Sequence, residues 1–234
     1  MTTVYIISAP SGSGKSTLVN EVRKIVTGLD FSISYTTRAP RGSEQNGREY
    51  FFVARSEFED MIRKEEFLEH ADVFGNYYGT ARRFLREAQE HGDDLLLDID
   101  VQGAEQIKRK IPEAASIFVL PPNREKLEWR LRNRGLDSEA VICRRLDTAR
   151  REIENYDKYD YILVNDRLEQ SIDQLKAILL SERLRRSGRP LNDEEKARLA
   201  LAERNRLDNM RTRIQPILDS FRDNPGHCQP SAAL

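Results

Sequence analysis

Several residue types are scarce in this chain of 234 residues, which has two cysteines, three histidines and one tryptophan. Two cysteines, Cys143 and Cys228, are too few for a disulfide framework, so we expect a reducing, cytoplasmic setting. The histidines lie at positions 70, 91 and 227 and lack the spacing of a metal-binding motif. The composition therefore favours a domain that is stabilised by its apolar core alone.

Long apolar runs and an excess of one charge are also missing. No stretch approaches the ~18–20 apolar residues of a membrane span, and the first residues lack the basic and apolar regions of a signal peptide. The 38 lysines and arginines nearly balance the 39 aspartates and glutamates, for a net charge of −1. We therefore expect neither a nucleic-acid partner nor a membrane partner.

Short apolar runs alternate with helical patterns along much of the chain. Buried strands are predicted at 4–8, 94–100, 115–120 and 161–164, and helices at 16–26, 81–91, 102–110 and 168–179. This alternation indicates an α/β fold in which helices flank a parallel sheet. Residues 31–80 differ, with strand-like alternation at 31–35, a strand at 50–53 and a helix capped by Ser56. We expect them to form a small mixed α+β subdomain inserted into this frame.

The composition changes after residue 182. Residues 187–190 resemble a linker, and Asn192 with Glu195 predicts a capped helix that runs to about residue 214. An apolar stripe follows, interrupted by Pro216: Leu207, Met210, Ile214, Ile217 and Phe221. The stripe can fold back on the domain or pair with a second chain, and the last residues, from 223 on, are expected to be disordered.

A glycine-rich loop separates the first predicted strand from the first helix. It has the sequence Ala9-Pro10-Ser11-Gly12-Ser13-Gly14-Lys15-Ser16 and continues into the helix with Thr17. Small residues let such a loop curl so that backbone N–H groups face a phosphate, and the following helix directs its positive end to the same anion. Lys15 can neutralise a transferring phosphoryl group, and the Ser16 hydroxyl can bind Mg²⁺. The pattern differs from the usual P-loop only in having Ala9 at its first position, and it predicts a nucleotide-binding site.

A second anion site is indicated further along. Arg38 and Arg41 lie three residues apart on a loop stiffened by Pro40, so both guanidinium groups can converge on one phosphate. Tyr50 can add a hydroxyl donor. Two arginines alone would favour the alternative of a solvated basic loop.

The segment around these arginines resembles the guanylate kinase signature at each constrained position: Thr36, Thr37, Arg38, Arg41, Glu44, Gly47, Tyr50, Phe52 and Val53. The resemblance extends over about residues 3–183. It implies ATP-dependent phosphorylation of GMP and dGMP by a P-loop kinase domain at 1–183, followed by an extension at 184–234. The implied parts are a core (1–30, 81–122 and 155–183), a GMP-binding subdomain (31–80) and a helical lid (123–154).

The resemblance also implies roles for individual residues. The GMP phosphate would be held by Arg38, Arg41, Tyr50 and Tyr78, and Glu44 and Gly79 would belong to the same substrate site. Guanine would be read by Ser34, Glu69, Thr80 and Asp100. Chemically, carboxylates suit the N1–H and amino donors of guanine, and hydroxyls suit its acceptors.

Two aspartates, Asp98 and Asp100, follow a buried strand at the sheet edge where α/β folds bind ligands. We assign Asp98 to Mg²⁺ through water and Asp100 to the acceptor base. The alternative is that one of the two caps the following helix.

The arginine-rich segment matches the lid of the family. The resemblance places Arg134 and Arg145 on the ATP phosphates, Arg130 on the adenine and Asn165 at the border of that base. A solvated helix laced with ion pairs is the alternative. Two other functions share part of these motifs, namely a guanylate-kinase-like interaction module and a kinase for a sugar bisphosphate. The donor loop and lid arginines argue against the first, and Glu69, Thr80 and Asp100 together argue against the second.

Overall fold

In a computed structural model, the structure describes residues 2–73, 75–133, 135 and 138–222. The chain forms two compact units. One comprises residues 1–7 and 26–116, and the other comprises residues 8–25 and 117–234.

Parallel strands form the centre of the first unit. Strand β1 (Val4–Ser8) and strand β2 (Leu29–Ser32) each pair in parallel with β7 (Asp94–Asp98). The apolar side chains of β1 and β7 are almost completely shielded from solvent, which explains why their sequences are continuous apolar runs. Helices α3 (Arg82–His91) and α4 (Val101–Lys110) flank β7 in sequence.

The first unit also contains a separate mixed sheet in the order β4-β3-β6-β5. Its elements are β3 (Tyr35–Thr36), β4 (Phe51–Phe52), α2 (Arg55–Arg63), β5 (Phe67–Val73) and β6 (Asn76–Ala81). Its core is aromatic, because the Phe58 ring stacks on Phe67 at 4.4 Å and on Tyr77 at 5.4 Å between centroids. The expected mixed α+β subdomain is therefore confirmed as a sheet with one helix.

Two details of this region differ from the prediction. The alternation at 31–35 belongs to two strands, because β2 pairs with β7 and β3 pairs with β4 and β6. Helix α2 begins one residue before Ser56, and its N-cap is Ala54, which makes no side-chain cap. The prediction that Ser56 caps the helix was wrong.

The second unit includes α1 (Lys15–Ile25). It also includes β9 (Tyr161–Val164) and, from residue 117 on, β8 (Ala115–Leu120), which pair in parallel. Between these strands lie α5 (Arg124–Asn133), α6 (Glu139–Ile153) and a short 3₁₀ turn at Tyr156–Lys158. Helix α7 (Leu168–Ser187) follows β9. The α/β class with parallel strands and flanking helices is confirmed.

The extension forms two helices, α8 (Asp193–Glu203) and α9 (Leu207–Arg222). The predicted capping box is present, since Asn192 and Glu195 each accept the other's backbone N–H. The single helix predicted from 192 to 214 is wrong, because α8 ends at Glu203 and the following residues bond the edge of β9. The Asn205 carbonyl accepts from Ile162 N–H at 2.8 Å, and Leu207 N–H donates to the Asp160 carbonyl at 3.1 Å.

The apolar stripe of α9 packs inside the second unit, as the fold-back alternative predicts. Met210, Ile214, Ile217 and Phe221 are buried, and α9 lies against α5, α6 and β9. Pro216 does not end the helix, since it is exposed and the Thr212 carbonyl that loses its partner lies on the same solvent-facing side. Residues 223–234, predicted to be disordered, lie outside the described residues. Among the described helices, none combines the length and apolarity needed to span a membrane.

Candidate active site

The glycine-rich loop has the backbone that a phosphate-binding loop needs. Gly12 and Gly14 adopt φ values of +93° and +86°, which side chains disfavour. Helix α1 begins directly at Lys15, and its first turn contains no acidic residue to compete for the free N–H groups. The remaining predicted loop residues all lie in the loop or in this first turn: Ala9, Pro10, Ser11, Ser13, Ser16 and Thr17. The segment therefore presents a positively polarised helix end suited to a polyphosphate.

Two polar side chains hold the loop from one side. Arg130 donates to the Ser13 carbonyl at 3.1 Å and to the Asn165 carbonyl at 2.8 Å. The Asn165 amide donates to the same Ser13 carbonyl at 2.8 Å. The two residues that the sequence placed near adenine thus anchor the loop backbone. Ser13 Oγ itself is buried without a hydrogen-bond partner among the described residues.

Apolar packing holds the loop as well. A Cβ atom on Gly12 would lie 2.8 Å from Leu131 Cδ2 and 3.0 Å from Leu127 Cδ1, and both leucines are fully buried on α5. The sequence analysis missed these leucines as loop contacts, because their spacing of four residues indicates only that they share one face of a helix. Arg145 is half-buried on α6, and Arg134 lies outside the described residues.

The first unit places the predicted phosphate ligands together. The guanidinium of Arg38 donates to the Tyr78 hydroxyl at 3.2 Å and to Glu44 at 3.0 Å. Glu44 also accepts the backbone N–H of Arg41 at 2.8 Å. Burial alone would lower the pKa of Arg38, but Glu44 and Tyr78 more than offset it, so the pKa is raised. Glu44 thus orders both arginines of the loop, while the Arg41 side chain is exposed.

Aromatic rings surround the Arg38 guanidinium. The Tyr50 and Tyr78 rings meet edge to face at 5.8 Å, and the Arg38 guanidinium lies 5.4 Å from the centre of the Tyr50 ring. Cation–π contact and hydrogen bonds fix the arginine in one orientation. A site with a fixed guanidinium and tyrosyl groups can bind a phosphate.

The predicted base-reading residues also converge. Glu69 is 4% exposed and accepts a hydrogen bond from the Thr80 hydroxyl at 2.6 Å. Burial raises the pKa of Glu69 to about 7, an effect that Thr80 opposes and the charge of Asp100 adds to. Gly103 faces both carboxylates, since a Cβ there would lie 2.5 Å from Glu69 Oε2 and 3.4 Å from Asp100 Oδ1. A buried carboxylate of this kind favours a ligand that donates hydrogen bonds.

Asp100 also caps a helix. Its Oδ1 accepts the backbone N–H of Gly103 at 2.8 Å at the start of α4, so the capping alternative is confirmed for Asp100. Asp98 is the last residue of β7. Ser34 lies between β2 and β3, where its carbonyl accepts from Phe51 N–H at 2.9 Å.

Gly79 and Lys110 complete this region. Gly79 packs beneath Phe67, because a Cβ would approach that ring to 2.9 Å, so the sheet itself requires a glycine there. Lys110 donates to the Leu68 carbonyl, and its charge lowers the pKa of the neighbouring Glu69. Nothing in the local sequence indicated the effect of Lys110, since the two residues are 41 positions apart.

Comparison with known proteins gives a consistent picture. The family model for guanylate kinase matches residues 1–182. A guanylate kinase of Koribacter versatilis is 59% identical over 224 residues, which cover 94% of this chain and 96% of that protein. A guanylate kinase of Escherichia coli strain K12 is 50% identical over 187 residues, with 79% and 90% covered. The former alignment includes most residues after 182.

A solved structure is also similar. The crystal structure of guanylate kinase from Anaplasma phagocytophilum matches with a TM-score of 0.64 and 35% identity, covering 77% of this chain and 86% of that one. Sequence and structure agree on one assignment: the chain belongs to the guanylate kinase family.

Proposed function

We propose that the chain transfers the γ-phosphoryl group of ATP to GMP, and to dGMP, giving ADP and GDP or dGDP. The observation that carries this proposal is the group formed by Glu69, Thr80 and Asp100 beside a tyrosine–arginine phosphate site. The family supplies the reaction class, and this group indicates the base.

The acceptor phosphate would bind to Arg38, Arg41, Tyr50 and Tyr78. The contacts within the loop support this role, because Glu44 fixes the Arg38 fork and the loop backbone at Arg41 before any ligand arrives. A preordered site loses less entropy on binding.

Guanine would be read by Glu69 and Asp100, which accept from its N1–H and amino group, with Thr80 and Ser34 nearby. Adenine has neither donor, so it would leave a buried carboxylate without a partner. Mismatches of this kind support discrimination on the order of 10⁴ or more.

The donor phosphates would bind the loop from Ala9 to Thr17, with Lys15 on the transferring group. Ser16 is the proposed ligand of Mg²⁺, and Asp98 is proposed to hold the ion through water; both offer oxygen atoms, the kind that Mg²⁺ prefers. When bound, Mg²⁺ neutralises negative charge on the phosphates. Arg134 and Arg145 are proposed to stabilise the charge that develops on the donor oxygens.

No covalent enzyme intermediate is needed. An oxygen of the GMP phosphate forms a bond to the γ-phosphorus while the bond from that phosphorus to the β-bridging oxygen breaks, and ADP leaves with that electron pair. Because the attacking oxygen is already anionic, no strong base is required. We propose that catalysis consists of positioning, charge neutralisation and exclusion of water by closure of the subdomain (31–80) and the lid (123–154).

The direct experiment is product analysis. The chain with ATP, Mg²⁺ and GMP should form ADP and GDP in equal amounts, and omission of GMP should abolish ADP formation. ADP formed at the same rate without GMP would contradict transfer to GMP.

The setting of this activity is proposed as the cytoplasm, with small molecules as partners. The sequence alternative to folding back is a homo-oligomer through the C-terminal helix. Because the α9 stripe is buried within one chain, we expect light scattering to give the monomer mass.

A further inference from the structure

Helix α9 contacts the start of the helix that packs on the glycine-rich loop. The Ser220 hydroxyl accepts a hydrogen bond from the backbone N–H of Arg124 at 3.1 Å and donates to the Ile217 carbonyl at 2.6 Å. Arg124 is the first residue of α5, where backbone N–H groups have no acceptor within their own helix. Ser220 therefore caps α5 from a helix almost a hundred residues away in sequence.

The same turn of α5 has a second cap from its own segment. Asn123 Oδ1 accepts the N–H of Lys126 at 2.7 Å. Two of the free N–H groups of this helix start are thus bonded by different parts of the chain. The position of the α5 start depends on both.

The other end of α5 reaches the nucleotide loop. Arg130 lies six residues after Arg124, about 9 Å along a helix, and bonds the Ser13 carbonyl. Leu127 and Leu131 pack against Gly12 on the same helix. A shift of α5 along its axis would therefore move both the polar anchor and the apolar support of the loop.

Helix α9 is held in position by hydrogen bonds, ion pairs and apolar packing. Its start pairs with β9, where Leu207 N–H donates to the Asp160 carbonyl. Just before it, Arg206 bonds Glu182, which also accepts from the Tyr161 hydroxyl and from Arg185. Buried apolar residues then follow along the helix up to Phe221. These contacts fix Ser220 relative to the rest of the second unit.

We propose that the C-terminal helix α9 is a positioning element of the ATP site: Ser220 fixes the start of α5, and α5 fixes the glycine-rich loop through Arg130, Leu127 and Leu131. Ser220 is a positioning residue, because its contacts are with backbone groups of the protein. The inference rests on the proposed role of this loop in binding ATP, and it gives a function to a segment that lies beyond the matched family region.

The test compares variants of the full chain by steady-state kinetics in which ATP and GMP are varied separately. Ser220→Ala removes the cap and should raise KM for ATP about fivefold, the effect of one lost helix cap, with KM for GMP unchanged. Ser220→Thr keeps the hydroxyl and should restore the wild-type value. Thr212→Ala removes a hydroxyl from the exposed face of α9 and should have no effect.

A second variant tests the same helix start independently, in case Ser220→Ala fails to fold. Asn123→Ala removes the other cap of the same turn and should also raise KM for ATP selectively. If neither variant does so, or if both only lower kcat or raise the two KM values alike, the proposal is overturned and Ser220 has a structural role alone.

Binding of ADP gives a readout that does not need turnover. Trp129, the single tryptophan, is 57% exposed and lies on α5, so its fluorescence should report nucleotide binding. Ser220→Ala should bind ADP about fivefold more weakly than the wild type and Ser220→Thr. Equal ADP affinities would contradict the positioning role, whereas a wild-type chain that binds ADP but does not phosphorylate GMP would contradict the proposed function only.

Discussion

Glu69 has an environment that is unusual for a carboxylic acid. It is almost completely buried, and burial raises its pKa to about 7 although Thr80 and Lys110 act in the opposite direction. In the chain without nucleotide, this carboxyl is therefore partly protonated near neutral pH. A ligand that donates hydrogen bonds would favour the ionised form, which couples GMP binding to release of a proton.

Glu69 should make stability depend on pH. Because its folded pKa of about 7 lies above the reference value of 4.5, the folded chain binds this proton more tightly than the unfolded chain. The protonated Glu69 carboxyl contributes fully to the free energy of unfolding below about pH 4.5, and this contribution is lost as the pH rises through 7. We expect the free energy of unfolding to fall by roughly 3 kcal/mol over this window from this group, and Glu69→Gln to abolish that part of the fall.

Urea unfolding at several pH values measures this effect. Glu66→Gln is the matched control, because Glu66 is a nearby exposed glutamate and should keep the wild-type slope. Equal slopes for the wild type and Glu69→Gln would show that Glu69 does not titrate in this range.

The contribution of Arg38 to activity on GMP should depend on the planar guanidinium group and not on its charge alone. Arg38→Lys retains the charge but cannot bond Glu44, Tyr78 and the Ala39 carbonyl at once, as the guanidinium does. We expect kcat/KM for GMP to fall about 10- to 100-fold, which is the loss expected when hydrogen bonds to a charged group are removed. KM for ATP should be unchanged.

Arg48→Lys is the control for this variant. Arg48 lies in the same loop with an exposed side chain, so its kinetics should match the wild type. Similar losses in the two variants would contradict a specific role for Arg38.

Among the helices and strands, the elements formed by local pattern were predictable. The apolar runs of β1, β8 and β9 and the spacing of α1 and α4 were placed to within about a residue, since burial of these segments requires such patterns. The errors arise where distant residues decide the structure. The break between α8 and α9 depends on pairing with β9, and the division at 31–35 depends on two different sheets.

The site also combines residues that the local sequence predicts with residues that only long-range contacts bring together. The glycine-rich loop is visible in local sequence because its chemistry depends on adjacent residues. The acceptor residues come from separate segments and were assembled through a family resemblance. The support of the loop by Leu127 and Leu131, and the cap from Ser220, are long-range contacts that no local pattern indicates.

The contact of α5 with the loop makes Gly12 sensitive to substitution. Gly12→Ala adds a Cβ at a φ of +93° and within 2.8 Å of Leu131, so it combines backbone strain with a clash. We expect KM for ATP to rise by about tenfold or more, and stability to fall by about 1–3 kcal/mol.

Gly188→Ala is the control that separates the effect of backbone strain from the effect of the clash with Leu131. Gly188 ends α7 at a φ of +64° with open space around its Cβ position. This variant should lose stability by about 1 kcal/mol through strain, with KM for ATP unchanged. Comparable ATP kinetics in both variants would contradict the packing of α5 on the loop.

For the molecule as a whole, the residues proposed for the acceptor and those proposed for the donor nucleotide belong to different compact units. The acceptor residues from Ser34 to Asp100 belong to the first unit, and the loop residues from Ala9 to Thr17, with Arg130 and Asn165, belong to the second. The near-zero net charge conceals this organisation, since arginines and a lysine lie where anions are proposed to bind and acidic residues lie where the base is proposed to bind. The extension, whose role the motifs did not explain, packs within the second unit.

The central claim is that the chain selects GMP through the carboxylates of Glu69, which is buried, and Asp100. The most direct measurement is kcat/KM for phosphoryl transfer from ATP to GMP, AMP, CMP and UMP by the full chain under one set of conditions. The account predicts that GMP exceeds each of the others by about 10⁴. Similar values for GMP and AMP would contradict it.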